Sequence, residues 1–146
     1  MNNRYLFRGK RKDNGEWVEG DLMQWSDGTI RICVENGNDE KTATTVIPET
    51  AGQCTGLTDK NGKLIFEGDI LESRASENKE DWKRWVAIFS DGSFCFEREI
   101  PRKRRYKYEQ NLLCADEIEL YGLNVIGNIC DNPELLEVER LQLNKH

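Results

Sequence analysis

The stretch Trp85–Phe96, WVAIFSDGSFCF, decides the fold of this chain. Val86 and Ile88 share one face of an extended segment, and Trp85, Ala87 and Phe89 share the other, which is the period of a strand. Both faces are apolar, so the segment reads as a central strand. Asp91-Gly92 then supplies a pair that tolerates the positive φ of a tight hairpin turn. On the return, Phe94 and Phe96 alternate with Cys95. The same grammar repeats outward from this hairpin. After Asp27-Gly28, Ile30, Ile32 and Val34 alternate with Arg31, Cys33 and Glu35; near the end, Leu123, Val125 and Ile129 alternate with Asn124, Ile126 and Asn128. Asn36-Gly37 and Asn61-Gly62 are further turn pairs. No long segment carries helical spacing. The expectation is a mostly β protein that buries Ile30, Ile32, Val86, Ile88, Phe94, Val125 and Ile126.

Glu19-Gly20-Asp21-Leu22, followed by Trp25-Ser26-Asp27-Gly28, is echoed by Glu67-Gly68-Asp69-Ile70, followed by Phe89-Ser90-Asp91-Gly92. The echo is either a duplication or two hairpins that chose the same favoured turn chemistry. Both readings predict two hairpins and, across the polar insertion 72–83, a mobile loop. The end of the chain changes character. Asn132 suits an N-cap, Pro133 the first helical position and Glu134 the positive end of the helix dipole. A short C-terminal helix docked by Leu135 and Leu136 is expected.

Composition bounds the chemistry. The chain has 146 residues, 33% of them charged, with a net charge of −6. Leu, Ile, Val and Phe make up 34 of the 146, above the level of about 20% at which disorder becomes the default. There is no long apolar run and no positive-plus-apolar leader, so neither a membrane span nor a secretory signal is expected. Cysteines 33, 54, 95, 114 and 130 are odd in number, and no two approach C-x-x-C spacing. Free thiols and a cytoplasmic setting follow. The one histidine is the terminal His146, which argues against a zinc site and against a nucleophile–His–acid triad. Gly56 to Leu64 lacks both the P-loop spacing and its Ser/Thr. Asp59, Asn61 and Glu67 are too sparse for a calcium loop. No cofactor or catalytic motif emerges, and a carboxylate-based enzyme is the least favoured class.

Three stretches point to a family: PETAGQCTGLTDKNGKLIFEGDI over Pro48–Ile70, VIGNICDNPELL over Val125–Leu136, and YLFRGKRKDNGEWVEGDL over Tyr5–Leu22. Together they resemble the YopX family of phage and prophage proteins. Cys54, Phe66 and Cys130 depart from positions that usually carry an aromatic, often Tyr, and Ala51 stands where Val is usual. The resemblance implies a β-rich, barrel-like fold with SH3-like structure and a mobile-element origin, and it implies no activity. With it, the chain divides into a β lobe over 1–53, an SH3-like lobe over 54–131 with variable insertions near 71–83 and 97–118, and the helix and tail over 132–146. In the family's most recognisable stretch, Thr55–Leu57 and Asp59–Gly62 read as consecutive turns. Gly68 reads as a turn or bulge before an Asp69 whose carboxylate bonds nearby backbone N–H groups.

Charge is segregated despite the acidic balance. Arg4, Arg8, Lys10, Arg11 and Lys12 open the chain without an acid, and residues 98–107 carry net +5. Residues 109–140 carry net −7. Arg102, Lys103, Arg104, Arg105, Tyr106 and Lys107 are therefore the candidate contact residues. The run is either a solvated loop that pairs with the acidic segment, in cis or in a neighbouring subunit, or, as the alternative, it holds a nucleic-acid strand by phosphate contacts and by stacking on Tyr106 and Tyr108. The leading expectation is a non-catalytic binding or assembly module that forms homo-oligomers.

Overall fold

The computed structural model describes residues 3–35, 40–102 and 105–136, with side chains outside 101–107. The chain is mostly β, with two antiparallel sheets, and divides at Gly56/Leu57 into two units.

In unit 1, β1 (Phe7–Lys10), β2 (Trp17–Gln24), β3 (Ile30–Glu35), β4 (Lys41–Val46) and β5 (Gly52–Thr58) form a sheet in the order β4-β3-β2-β1-β5. The Asp27-Gly28 turn closes β2 on β3 as expected: Thr29 N donates to Asp27 Oδ1 at 2.9 Å, and Gly28 takes φ +91°. The Asn36-Gly37 turn lies outside the described residues, although Glu35 pairs with Lys41 across it. The sheet curls. Arg11 bridges to Val46, and Ile47 N donates to Lys10 O at 2.8 Å, so the end of β1 meets the end of β4. One bridge does not make a closed barrel, and the strand order stays open. A Cβ on Gly20 would lie 1.8 Å from the Cys33 carbonyl oxygen, so β2 approaches β3 at a distance only glycine permits. Ile32, Val46 and Cys54 are buried.

In unit 2, β6 (Leu64–Phe66) precedes β7 (Asp69–Ser73), β8 (Lys83–Ser90), β9 (Ser93–Arg102) and β10 (Arg105–Leu112). Helix α1 (Ala115–Tyr121) and β11 (Leu123–Asn128) follow. The five-stranded order is β10-β9-β8-β7-β11, which makes β8 the central strand. Asp91 at φ +51° and Gly92 at φ +81° form the β8–β9 turn. The core is built on the face of β8 that carries Trp85 and Ala87, with Phe96, Leu71 and Leu123 from its neighbours. Val86 and Ile88, expected inside, are half-buried on the other face. Of the expected core positions only Ile32 is fully buried, while Ile30, Phe94, Val125 and Ile126 are half-buried. Two apolar faces had identified a central strand without ranking them; the larger indole volume went to the better-sealed side.

Two further elements differ from expectation. Helix α1 went unread because its seven residues bury only Ile118, too few to show a period. It ends where Gly122 takes φ +62° and donates N–H to Glu119 O. The insertion after β7 is a bonded strap rather than a loose loop. Asn78 caps Glu80 N at 3.1 Å, and Trp82 Nε1 donates to Ser76 O at 2.8 Å. Arg74 N and Ala75 N donate to Gly122 O and Tyr121 O. The two acid-Gly-Asp segments also part company, since Gly20 lies within β2 whereas Gly68 sits in a turn at φ +87°. At the C-terminus, Glu134–Leu136 are helical and half-buried Leu135 accepts from Arg84 at 2.8 Å. The rest of the expected helix lies outside the described residues. All five cysteines are free; Cys54 and Cys95 are buried, and burial pushes the Cys95 thiol up from its ordinary value.

Candidate functional site

The expected basic strip falls on the β9–β10 hairpin. Register places Arg105 opposite Arg102, Tyr106 opposite Pro101 and Lys107 opposite Ile100. The hairpin end therefore gathers Arg102 and Arg105, with Lys103 and Arg104 between them; Lys103 and Arg104 themselves lie outside the described residues. Strand alternation assigns Arg102, Arg105 and Lys107 to the register face of Arg98 and Glu109. Tyr106 falls on the alternate face, with Tyr108 and Glu99. The register thus sets the Arg102 and Arg105 positions opposite each other, and the two tyrosine positions alternate with them along β10. Arg98, counted in the basic run, is committed to the fold. Its side chain is only 11% exposed, its Nε donates to Glu109 Oε2 at 3.0 Å, and its guanidinium lies 5.5 Å from the Trp85 ring centroid. This is a contact in cis between the basic run and the first residue of the acidic segment, and the eleven-residue span between the two hides in the sequence which residues pair.

β10 is an edge strand. Tyr108 is 64% exposed and Leu112 57%, and both lie on the register face that Gln110 shares. An edge of this kind presents a row of backbone donors and acceptors to a further strand.

The family stretch is a different kind of site, and its polar groups are turned inward. Asp59 is buried and accepts from Asn61 N at 2.8 Å, Lys63 N at 2.9 Å and Val125 N at 2.9 Å. Lys60 N donates to Leu123 O, Asn61 Nδ2 to Asn124 Oδ1, and Asn124 Nδ2 to Gly122 O. The turn Asp59–Gly62 is thereby fastened to the start of β11. Asp69 Oδ2 accepts from Phe66 N at 2.8 Å across the Gly68 turn, as its sequence position suggested. Sequence reading missed one cluster, buried Glu72, which accepts from Arg74 Nε at 2.7 Å and Arg84 Nε at 3.1 Å. Buried carboxylates need such partners.

Among the described residues, no group of three or more His, Cys, Asp or Glu could hold a metal ion, and no helix is long and apolar enough to cross a membrane. A search of curated proteins found no match. Among solved structures, protein EF1440 from Enterococcus faecalis is similar at 26% identity; the alignment covers 89% of this chain and 96% of that one, with a TM-score of 0.44. The YopX protein family model matches residues 6–137. Apart from Tyr5, the match covers the three stretches that first suggested the resemblance, and the chain belongs to the YopX family.

Proposed function

We propose that this YopX-family protein is a non-catalytic binding and assembly module of phage or prophage origin, working in the cytoplasm, and that it associates with itself through β10. The observation that supports this reading is the β10 edge, with Tyr108 and Leu112 exposed along it. The strand is self-complementary when paired antiparallel with its own copy about Tyr108. That register sets Tyr108 against Tyr108 and puts the Lys107 and Glu109 positions opposite each other twice. Cross-strand aromatic and opposite-charge pairs each contribute about 0.2–1 kcal/mol. A twofold dimer is the commonest closed assembly.

Sedimentation at tens of micromolar is expected to give twice the 17.0 kDa chain mass. Tyr108→Lys sets two cations against each other and should shift the protein towards monomer without loss of fold. A wild-type monomer across that range, or a Tyr108→Lys protein that assembles unchanged, overturns the reading.

The hairpin supports a second reading, nucleic-acid binding, because its register sets Arg105 opposite Arg102 in a stretch whose sequence is rich in cations. Single-strand binding through them loses about 0.7 units of log affinity per unit of log salt for each phosphate neutralised. Changing Arg104 and Arg105 to Ala should then flatten the slope by about 1.4. The assembly reading predicts no change in oligonucleotide binding for the same double variant.

A further inference from the structure

Beside the aromatic core of unit 2 lies an open-mouthed cavity of about 200 Å³. It is lined by the end of β7, the strap that follows, the start of β8, the end of α1 and Glu109 of β10. The walls are fixed. Trp85 Nε1 donates to Ser73 Oγ at 3.3 Å, Ser76 Oγ donates to Asp81 Oδ2 at 3.1 Å, and Ala75 N donates to Tyr121 O at 3.2 Å. Trp85 and Tyr121 meet edge to face with centroids 6.0 Å apart, and exposed Leu120 adds an apolar lip.

Four of the lining residues keep polar side-chain capacity that the fold does not use. Lys83 Nζ and Tyr121 Oη have no partner among the described residues. Asp81 uses Oδ2 on Ser76 and Glu109 uses Oε2 on Arg98, so each keeps a second oxygen. The cleft therefore combines an ammonium donor, two carboxylate acceptors and an aromatic–aliphatic wall. An anion alone would meet both carboxylates, and a cation alone would leave Lys83 facing it. Specific sites reject such mismatches by leaving charge unpaired. The volume is below the roughly 300–1,000 Å³ of clefts that enclose drug-sized ligands, so the occupant is smaller than that.

We propose that this cleft binds a small zwitterion of the free amino-acid type: its carboxylate on Lys83 and Tyr121, its ammonium on Asp81 and Glu109, and a short apolar side chain against Leu120 and the Tyr121 ring. Glu109 belongs to both surfaces, but Lys83, Asp81 and Tyr121 lie outside β10 and the variants below change only Lys83 and Asp81, so either reading can fail without the other.

Leucine, leucinamide and N-acetylleucine are the probes, because the last two lack the carboxylate and the ammonium respectively. Titration of isotope-labelled protein followed by amide NMR should show leucine shifting Ala75, Asp81, Lys83 and Tyr121, with half-saturation near about 1 mM, as a ligand this small allows. Each blocked analogue should bind at least about tenfold more weakly. Lys83→Met should abolish the preference for leucine over leucinamide, and Asp81→Asn the preference over N-acetylleucine. Both residues are exposed, so an unchanged melting temperature verifies that the variants fold. Equal response to all three probes, no saturable shift up to about 50 mM leucine, or preferences untouched by both variants overturns the proposal.

Discussion

The two units build antiparallel sheets of similar strand count and exclude water by different means. Unit 2 does it with side-chain volume. Trp85, Phe96 and Tyr121 meet edge to face at centroid distances of 4.9, 5.2 and 6.0 Å, and Leu71, Leu113, Ile118 and Leu123 close around them. Unit 1 keeps its tryptophans outside. Arg8 lies 4.7 Å from the Trp17 ring, Lys10 5.7 Å from the same ring, and Arg31 4.9 Å from the Trp25 ring. The exposed contact at Trp25 contributes only about 0.5–1 kcal/mol, and those at half-buried Trp17 somewhat more. Among the described residues of unit 1, the fully buried apolar side chains are Ile32, Val46 and Cys54. Backbone approach at Gly20 and the Arg11–Val46 bridge make up the difference. A small sheet can thus curl onto very few side chains when glycine lets strands close in.

The sharpest way to break this comparison is a pair of truncations. Trp85→Ala removes the centre of the aromatic cluster and should cost about 3–5 kcal/mol. Ile32→Ala in the thinner core should cost about 2 kcal/mol, the low end for that substitution, because the curled sheet has fewer side chains to strand around the cavity. Urea unfolding of the two variants measures both. A larger loss at Ile32 than at Trp85 would mean that unit 1 is packed as tightly as unit 2.

What the sequence revealed follows from the range of the forces involved. Alternation and Asp-Gly pairs act over two to four residues. Strand class, both Asp-Gly hairpins and the central place of β8 were therefore readable, and the family stretches led directly to the matching family. The choice of face at β8 depends on partners from β7, β9 and β11, which no local pattern contains. The specific Arg98–Glu109 pair was hidden for the same reason, since the carboxylate arrives from the returning strand. The strap after β7 looked loose because its bonds run from backbone to Tyr121 and Gly122, where composition gives no signal. The cavity groups Asp81, Lys83 and Tyr121 are spread over 41 positions and come together only when α1 packs.

The family stretch offers a smaller but more local test. Asp59→Ala leaves the amides of Asn61, Lys63 and Val125 without their acceptor, and a buried amide left unpaired costs about 1–3 kcal/mol. The Val125 amide is the one most sheltered from water, so its hydrogen exchange should accelerate more than that of Lys63. Asp59→Asn keeps a single acceptor oxygen and should fall between wild type and Asp59→Ala. A Val125 amide as protected in Asp59→Ala as in wild type would show that β11 does not depend on the turn.

The smallest expected effect separates the two kinds of turn carboxylate. Asp27 does in unit 1 locally what Asp59 does in unit 2 over long range: it accepts from Thr29 N two residues away, on a fully exposed loop. That backbone bond, then the Thr29 side chain, holds the Asp27 carboxyl below its ordinary value, with Arg31 assisting weakly. The sign follows from linkage. A lowered folded value means that the contribution is present above the unfolded carboxylate pKa of about 3.9 and is lost as pH falls through the folded value. Because the group is exposed, the effect should register in the hairpin turn rather than in global stability. The Thr29 amide resonance should titrate with a midpoint below about 3.9, and Asp27→Asn should remove that titration. A midpoint at or above the ordinary value would mean the bond is not populated in solution. The β2–β3 ladder, the Gly20 approach and the burial of Ile32 would then hold the hairpin without it.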